Sequence, residues 1–432
     1  PADFICEAID QTRGWFYSLM AVGTLVFDES SYRNVVCLGH ILADDGRKMS
    51  KHLGNVLEPI PLMDQHGADA VRWFMACSGS PWSARRGGHQ AIRETVRKVL
   101  ITYWNTVAFQ SLYARAANWA PTGEAPSVAE RHVLDRWLTS ATQQLIVEVS
   151  EALDNYDTQR YGQALSSFTD ALSNWHVRRS RRRFWAGDEG ALWTLHEALD
   201  TLTRLLAPIM PFVTERVWQD LFYASNPEGP SSVHLASWPV ADESLIIESL
   251  SEAMELTRRT VELGRAARAE SKVKVRQALS RMLVPSAIFE KLSLELQDEI
   301  KAELNVESIE SFASAGDVVD HSAKGNFRNL GKRFAKRTPL VAKAIAELDA
   351  SWLAEQLRDA GRAVMPFDGE DVELTADDVI VTERPREGWS VVNEQGETVA
   401  LDLELTPELI RSGLAREVIR FVQEARKRGI PI

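Results

Sequence analysis

Four long segments with the apolar spacing of α-helices follow one another in the middle of the chain. They cover residues 89–116, 127–153, 161–185 and 192–222. Pro208 and Pro211 are expected to kink the fourth segment, and Ser127 followed by Glu130 matches the capping-box pattern of a helix start. Because consecutive helices with short connections pack side by side, the sequence predicts an all-α, antiparallel helical bundle over residues 91–270.

The residues before the bundle have a mixed pattern. YRNVVCLGHIL (32–42) is a short, β-branched apolar run that is typical of a strand buried on both faces. Asp-Asp-Gly follows it as a turn signal, and residues 64–80 then have helical spacing. Strand, loop and helix in this order predict that residues 1–90 form part of an α/β domain.

The residues after the bundle alternate between the two patterns. Segments 278–286 and 377–385 have strand character, and residues 403–429 have helical spacing. WSVVNEQGETVALDLEL (389–405) is expected to form a hairpin that turns at 393–396. The sequence therefore predicts an α+β domain over residues 271–432, which makes the chain a multidomain α/β, all-α and α+β protein.

Composition excludes several classes of protein. With 432 residues, 45% hydrophobic and 25% charged, the chain is expected to be soluble and to contain two to four domains. No apolar run approaches the roughly 20 residues of a membrane span. The three cysteines form no CxxC pair, so we expect a reducing, cytoplasmic setting and no bound metal. A net charge of −12 disfavours non-specific nucleic-acid binding, but a local basic site remains possible.

The loop GRKMSKHLGN (46–55) carries Lys48 and Lys51 on either side of a Met-Ser step, between two glycines. Lysine is a point charge on a flexible stem, which suits a mobile contact to the β and γ phosphates of a nucleotide. No GxxxxGK[ST] sequence is present, so the loop is not a P-loop. Taken alone, four residues of this kind also fit an ordinary surface loop.

The context of the loop resembles a known family. DGRKMSKHLGNVLEP (45–59) resembles the KMSKS signature of class I aminoacyl-tRNA synthetases, with His52 in place of the usual final Ser. DQTRGWFYSLM (10–20) resembles the upstream segment of isoleucyl-tRNA synthetases. Further matches follow in the family's order, at residues 67–82, 173–185, 267–279 and 326–337. Nearly the whole chain is thus similar to isoleucyl-tRNA synthetases.

The resemblance implies an architecture. Residues 1–90 would be the second half of a Rossmann-like catalytic domain, 91–270 an anticodon-binding domain, and 271–432 a small C-terminal domain, itself incomplete. The sequence contains no HIGH-type motif (His-x-Gly-His), which in the family lies in the first half of the catalytic domain. We therefore expect the C-terminal part of a longer enzyme, without the HIGH motif or the editing domain. Such a chain alone should not activate isoleucine.

The resemblance also assigns roles to residues. It implies that Lys48, Ser50 and Lys51 act on the ATP phosphates and that Gly39 and His40 border the adenine. It implies that the isoleucine and adenylate site is formed by Glu7, Asp10, Gln11 and Trp15. Glu7 could instead be an exposed helix carboxylate, Trp15 a core residue and His40 a structural one. The implied substrates and partners are ATP with Mg²⁺, isoleucine and tRNA(Ile), bound by a monomer.

A local basic cluster lies in the third helical segment, within HVRRSRRR (176–183). Guanidinium groups pair with phosphates, and arginine or aromatic planes stack on unpaired bases. With the resemblance, this predicts tRNA contacts by Arg178, Arg179, Arg181, Arg182 and Arg183. The alternative is a solvated face with salt bridges. Trp175 and Trp185 beside the cluster are expected to be packing residues.

Two further basic segments are weaker candidates for tRNA contact. Lys272, Lys274 and Arg276 would share one face of an extended strand, and an ordinary exposed strand face is the alternative. NFRNLGKRFAKR (326–337) is a second possible phosphate-contacting patch. Two other functions stay open at this point. One is a valyl- or leucyl-tRNA synthetase of the same subclass, and the other is a non-catalytic tRNA-binding module.

Overall fold

The computed structural model describes residues 1–312, 319–394 and 397–428. The chain divides into two compact units, Pro1–Ser251 and Glu252–Ile432. The first unit contains both the predicted α/β region and most of the predicted bundle. The domain boundaries at residues 90 and 270 stay predictions.

The first unit begins with a β-α-β arrangement. Its elements are β1 (Ala2–Ala8), α1 (Trp15–Phe27) and β2 (Tyr32–Leu38). β1 and β2 are parallel, with Glu7 opposite Cys37. Parallel strands need a crossover connection, and α1 provides it. The following elements are β3 (Ile41–Leu42), α2 (Pro59–His66), α3 (Ala68–Cys77) and β4 (Arg85–Arg86), and β3 pairs in parallel with β4.

Two predicted elements of this region are each divided in two. The predicted strand over 32–42 is present as β2 and β3, interrupted at Gly39 and His40. Its predicted burial on both faces is wrong, because Arg33, Asn34 and Val35 are exposed. The predicted helix over 64–80 is wrong as a single element. Gly67, with φ +87°, ends α2 and precedes α3, because glycine adopts this conformation without a steric penalty. The core beneath α2 and α3 consists of Leu62, Ala70, Val71, Phe74 and Ile92.

The helices expected from the apolar spacing are present. They are α4 (His89–Thr95), α5 (Ile101–Ala116), α6 (Val133–Asp154), α7 (Thr158–Ala171), α8 (Arg178–Trp185), α9 (Glu189–Leu206) and α10 (Pro211–Val217). A further helix, α11 (Glu248–Glu270), lies outside the four predicted segments. One-turn π-helical segments join α4 to α5 and α7 to α8, so these pairs form continuous helical runs. The fourth predicted segment is interrupted between α9 and α10. Pro211 occupies the start of α10, where a missing N–H costs nothing.

The predicted capping box is wrong. Among the described residues the side chain of Ser127 accepts no capping hydrogen bond, and it precedes only a 3-10 turn. α6 begins after His132, whose ring nitrogen accepts from the Leu134 N–H. The bundle core consists of fully buried apolar side chains of α6, α7, α9 and the connection after α7, among them Leu138, Leu165, Leu172, Leu195 and Leu199.

The second unit mixes helices and strands. After α11 its elements are β5 (Leu279–Pro285), α12 (Ser286–Phe289), α13 (Leu294–Leu304), β6 (Val306–Phe312), β7 (Val319–Gly325), α14 (Phe327–Phe334), α15 (Thr338–Glu347), α16 (Ala350–Asp359), β8 (Arg362–Phe367), β9 (Glu370–Thr375), β10 (Val379–Pro385), β11 (Trp389–Glu394), β12 (Glu397–Asp402) and α17 (Pro407–Lys427). A four-stranded sheet has the order β11-β12-β5-β6. β5 and β6 are parallel, and the other two pairings are antiparallel.

The strands and the final helix predicted for this unit are confirmed as β5, β10 and α17. The hairpin is confirmed by the pairing of β11 with β12. Its turn residues 395–396, and the predicted helix end at residue 429, lie outside the described residues. In the part of the chain that the structure describes, none of the helices has the length and apolarity needed to cross a membrane.

Candidate active-site loop and nucleic-acid interface

The carboxyl ends of the two parallel strands β1 and β2 lie at one edge of their sheet. Glu7 is the second-last residue of β1, and Gly39 and His40 follow directly after β2. Asp10 and Gln11 lie in the 3-10 turn that follows β1. Ligands of open α/β sheets bind outside the carboxyl ends of the strands. The structure therefore brings these five sequence-predicted residues to the edge where a ligand is expected.

Gly39 allows the chain to pass close to a neighbouring loop. A Cβ atom at this position would lie 2.3 Å from the backbone of Ser83. The Gly39 N–H donates to the Pro81 carbonyl at 2.8 Å, and the His40 carbonyl accepts from the Arg85 N–H at 3.0 Å. The segment before the lysine loop is thus held by main-chain contacts, and His40 takes part through its backbone.

The lysine loop is a tight turn closed by an asparagine. The Ala43 N–H donates to the Arg47 carbonyl at 2.9 Å, across a turn in which Gly46 has φ +82°. Asn55 then connects both sides of the Met-Ser step. Its side-chain oxygen accepts from the Ser50 N–H at 2.8 Å, and its amide donates to the Lys48 carbonyl at 3.3 Å. We call these two hydrogen bonds the Asn55 clasp.

The loop presents its cationic side to solvent. Lys48 is exposed and Ser50 is half-buried. Lys51 begins a one-turn 3-10 helix, Lys51–Leu53, and its side chain lies outside the described ones. Beside the turn, Asp45 accepts hydrogen bonds from Arg47, which lower the pKa of Asp45. Lys48 is therefore held on a closed backbone turn with its side chain available to an anionic ligand.

The predicted amino-acid site is only partly assembled by the described residues. Glu7 is exposed and belongs to a strand, so the alternative of a helix carboxylate is wrong. Trp15 is 44% exposed, which contradicts its alternative as a core residue. The Gln11 side-chain oxygen accepts from the Trp15 N–H at 2.9 Å. Gln11 thus caps the start of α1 and fixes the position of Trp15.

The arginine helix α8 is anchored by a buried polar network. Asp135 of α6 and His176 are fully buried, and their Oδ1 and Nε2 atoms lie 2.9 Å apart. Arg183 donates through both terminal nitrogens to the Asp135 carboxylate and also to Asp188. Burial alone would raise the pKa of Asp135, but the hydrogen bonds from His176 and Arg183 outweigh it and lower this pKa well below its usual range.

The remaining arginines of α8 divide into two groups. Arg178 and Arg179 are half-buried, and the Arg178 guanidinium lies 5.9 Å from the ring centroid of Trp175. Arg181 and Arg182 are exposed. Trp175 is buried, as predicted, but the prediction for Trp185 is wrong. Its side chain is 82% exposed beside Arg181 and Arg182, because the turn after α8 places it at the helix end.

The predicted strand at residues 272–276 is wrong. These residues form turns and irregular chain, because buried Arg268 donates to the carbonyls of Lys274 and Gln277. Arg276 and Lys274 both pair with Glu417, at 2.8 and 3.6 Å. Hydrogen bonds from Arg276 and then Arg420 lower the pKa of Glu417 to about 2.

The positive charge of both weaker basic segments, 272–276 and 326–337, is partly neutralised by acidic side chains. Lys272 has φ +57° in a turn and is exposed. In the patch at 326–337, Arg333 pairs with Asp378 and Arg337 with Asp368. Each of these segments thus carries acidic partners of its own. Arg181 and Arg182 are exposed, so they are more accessible to phosphates than the paired residues of these two segments.

Sequence reasoning missed three features of this unit. Asn55 lies within the loop 46–55, but no sequence pattern indicates that its side chain accepts from the Ser50 N–H five residues earlier. Asp135 was overlooked because its partners His176 and Arg183 are more than 40 residues away. The third is a set of polar residues on α9, His196, Asp200 and Arg204. Their spacing of four residues was visible in the sequence and places them on one helix face.

Two family models match this chain. The model described as tRNA synthetases class I (I, L, M and V) matches residues 1–85, which contain the β1–β2 edge and the lysine loop. The model described as anticodon-binding domain of tRNA ligase matches residues 135–283, which contain the arginine helix. The two matches define the class I aminoacyl-tRNA synthetases as the class of protein.

Curated relatives narrow the class. The isoleucine–tRNA ligase of Cutibacterium acnes is 66% identical, that of Streptomyces coelicolor 65% and that of Deinococcus radiodurans 42%. Each match covers 99% of this chain and 40 or 41% of the relative. The chain belongs to the isoleucyl-tRNA synthetase family, and it spans about two fifths of the length of these relatives.

A solved structure gives a weaker match. The Agrobacterium radiobacter K84 LeuRS in ternary complex with tRNA and LeuAMS is 22% identical, with a TM-score of 0.44, over 57% of this chain and 29% of that one. Among the described residues no group of three or more His, Cys, Asp or Glu side chains could hold a metal ion.

Proposed function

We propose that this chain works in an isoleucine–tRNA ligase, where it supplies the lysine loop for isoleucine activation and the surface that binds the anticodon part of tRNA(Ile). The observation that carries the proposal is the similarity of the whole chain to isoleucine–tRNA ligases. The clasped loop, which follows β2 and β3 in the chain, supports it. The division proposed is a catalytic half-domain at 1–90, an anticodon-binding domain at 91–270 and a C-terminal domain at 271–432.

The proposed first step joins isoleucine to AMP. A carboxylate oxygen of isoleucine attacks the α-phosphorus of ATP, and pyrophosphate leaves with Mg²⁺. Lys48 and Lys51 neutralise charge that develops on the leaving phosphates, and Ser50 lies between them. Gly39 and His40 border the adenine. No side-chain nucleophile is required, because such phosphoryl chemistry depends on positioning and charge stabilisation.

The proposed amino-acid site lies at the same edge. Asp10 and Glu7 would bind the amino group and the adenylate, and Trp15 would form an apolar wall whose position Gln11 fixes. In the second step the terminal ribose hydroxyl of tRNA takes the isoleucyl group, and AMP leaves. The three cysteines are free thiols, which suits the proposed cytoplasmic setting.

The proposed tRNA surface centres on the exposed end of α8. Arg181 and Arg182 would contact phosphates, and Trp185 offers an exposed aromatic plane to an unpaired base. Arg178 and Arg179 extend this surface from half-buried positions. Arg183 would act through its pairing with Asp135 and Asp188, which fixes the helix. Lys272, Lys274 and Arg276 are secondary candidates because Glu417 pairs with two of them.

The binding part of the proposal is tested by fluorescence anisotropy with anticodon stem-loops of the isoleucine, valine and leucine types over a series of salt concentrations. The isoleucine type should bind most tightly. The double variant Arg181→Ala and Arg182→Ala should flatten the slope of log K against log salt by about 1.4, because two phosphate contacts are lost. The control Arg216→Ala removes an exposed arginine that pairs with Asp220. Equal binding of all three stem-loops would contradict anticodon reading by this chain.

The catalytic part is tested by isoleucine-dependent exchange of pyrophosphate into ATP in the full-length enzyme that carries this sequence. Lys48→Ala should lower kcat about 100-fold, since a charge that stabilises the transition state is removed. Lys336→Ala, in the second unit, is the matched control. Normal exchange by Lys48→Ala would exclude the assigned role. A complete lack of exchange in the unmodified enzyme would favour the non-catalytic tRNA-binding module.

A further inference from the structure

The short strand β4 places an arginine beside the lysine loop. β3 pairs in parallel with β4, and Leu42 of β3 lies opposite Arg86 of β4. On its other side, Leu42 forms an antiparallel bridge to Lys48. Residues directly opposite one another in a sheet have their side chains on the same face. Lys48 and Arg86 therefore lie on one face, with Leu42 between them.

The spacing of these two cations suits a single anionic ligand. Neighbouring strands are about 4.8 Å apart, so the backbones of Lys48 and Arg86 are separated by about 10 Å. Both side chains are exposed, and each is long enough to reach a group bound between them. A guanidinium binds phosphate oxygens through two parallel hydrogen bonds, and an ammonium adds a point charge. The pair thus has the chemistry of a site for linked phosphate groups.

The Arg86 side chain lies against the turn of the lysine loop itself. A Cβ atom on Gly46 would be 3.1 Å from both Nε and Nη2 of Arg86. Gly46 is the residue with φ +82° in the turn that precedes Lys48. The absence of a side chain at this position leaves room for the guanidinium beside the loop backbone. Arg86 is therefore part of the surface that the loop presents.

The charge of Arg86 is not neutralised by the acidic residues of the turn. In the part of the chain that the structure describes, Arg86 forms no ion pair. Asp45 pairs with Arg47 instead. The Asp44 carboxylate lies against the Gly88 backbone, where a Cβ atom would collide with it. An exposed guanidinium that is held at a loop without a carboxylate partner is available to an anionic ligand.

We propose that Arg86 binds the β and γ phosphates of ATP together with Lys48. This inference rests on the proposed isoleucine activation and adds a substrate-binding residue from β4 to it. When the isoleucine carboxylate attacks the α-phosphorus, the bond to the bridging oxygen breaks and its electron pair stays on pyrophosphate. Arg86 donates hydrogen bonds to oxygens of this leaving group and stabilises its charge.

The test is isoleucine-dependent exchange of pyrophosphate into ATP by the full-length enzyme that carries this sequence, without tRNA. Arg86→Gln should raise the KM for ATP and the KM for pyrophosphate about 10- to 100-fold, because charge-assisted hydrogen bonds to both are lost. Arg86→Lys should restore part of the loss, because it keeps the charge but not the planar fork. Inhibition by adenosine, which has no phosphate, should not change. Arg33→Gln, an exposed arginine that pairs with exposed Asp3, is the control and should behave like the unmodified enzyme.

Each other outcome is distinguishable. An unchanged KM for ATP and pyrophosphate in Arg86→Gln would overturn the inference. Equal weakening of adenosine inhibition would show that Arg86 only supports the loop structure, and would also overturn it. So would a raised KM for tRNA in aminoacylation with an unchanged KM for ATP, which would assign the guanidinium to an RNA phosphate. Thermal unfolding checks the variants, and Arg86→Lys carries the comparison if Arg86→Gln does not fold. A lack of exchange in the unmodified enzyme would instead overturn the proposed function itself.

Discussion

Two regions of the first unit are stabilised by different means. One is the α/β part with α1 and the lysine loop, here called the loop region, and the other is the bundle that contains α6, here called the helical region. In α1 two of 13 residues are buried, Phe16 and Gly23, and several large apolar side chains of this helix are exposed. In α6 twelve of 22 residues are buried. Two of these, Asp135 and Ser140, hydrogen-bond to other parts of the bundle, to His176 and to the Ile247 N–H. The lysine loop is instead closed by a few hydrogen bonds to its own backbone.

The difference indicates how each region serves its proposed task. A surface that positions several RNA contacts must be rigid, and burial with internal hydrogen bonding provides rigidity. A loop that closes on a triphosphate must move, and segments with few buried contacts open at low cost in free energy. The same fold thus combines a rigid interface with a loop that local contacts hold. Four predictions test this contrast, from the largest expected effect to the smallest.

The largest effect is expected when the buried network of the helical region loses its carboxylate. Asp135→Ala leaves the His176 ring and the Arg183 guanidinium without their shared partner inside the bundle. Breaking a buried ion pair by removal of one partner costs roughly 3–5 kcal/mol in free energy of unfolding. Urea denaturation should show a lower midpoint with an unchanged slope.

Asp220→Ala is the matched control for this variant. Asp220 also pairs with an arginine of the bundle, Arg216, at 2.6 Å, but both side chains are more than half exposed. Such a surface pair contributes about 0–1 kcal/mol. If Asp135→Ala cost no more than this control, the helical region would not depend on its buried network, and the contrast between the regions would be lost.

The second prediction concerns the pH dependence of the bundle. The pKa of His196 is about 4 in the folded chain, against about 6.5 in an unfolded one. Between these values the unfolded state binds the extra proton, so stability is full above pH 6.5 and falls as the pH drops towards 4. The loss should reach up to about 3 kcal/mol.

His196→Phe removes this titration, and the difference between the two stability curves isolates it from the carboxylates. Asp200 and Arg204 lie on the same face of α9 as His196. Burial raises the pKa of Asp200 despite the Arg204 charge. The difference curve should slope between pH 6.5 and 4 and be flat above. A difference that is constant over this range would show that His196 does not titrate on unfolding.

The lysine loop and the Asp135 network also show what the sequence could and could not predict. The helices of the bundle and the position of the lysine loop followed from local patterns, namely a 3.6-residue apolar period and a Gly-bounded turn. The Asp135–Arg183 contact joins residues 48 positions apart, and no local pattern encodes such a pairing. The alternating charges of residues 272–276 predict a strand, whereas buried Arg268 donates to the Lys274 and Gln277 carbonyls and holds the segment in turns. No local pattern shows that Arg268 is buried.

The third prediction concerns the connection between the two regions. Asp69 of α3 accepts from the backbone N–H groups of Phe212 and Val213, at 3.3 and 2.7 Å. It therefore caps α10 from another element, although burial raises its own pKa. Asp69→Ala should destabilise the chain by about 1–2 kcal/mol, as for loss of an N-cap. Asp69→Asn keeps one of the two accepting oxygens, enough for the shorter bond from the Val213 N–H, and should restore part of the loss in thermal denaturation. Equal losses in both variants would show that the charge, not the cap, matters.

The smallest global effect is expected for the Asn55 clasp. Asn55→Ala removes one acceptor and one donor in a loop that is already largely solvated, so the free energy of unfolding of the whole chain should change by less than about 1 kcal/mol. The local effect should be larger. Amides of residues 48–53 should exchange with deuterium several-fold faster, while those of α9 keep their protection. Asn34→Ala, whose amide donates to the Asp3 carbonyl outside the loop, is the control. Unchanged exchange in the loop would mean that the clasp does not set its conformation, whereas faster exchange in α9 as well would mean that the loop and the bundle open together.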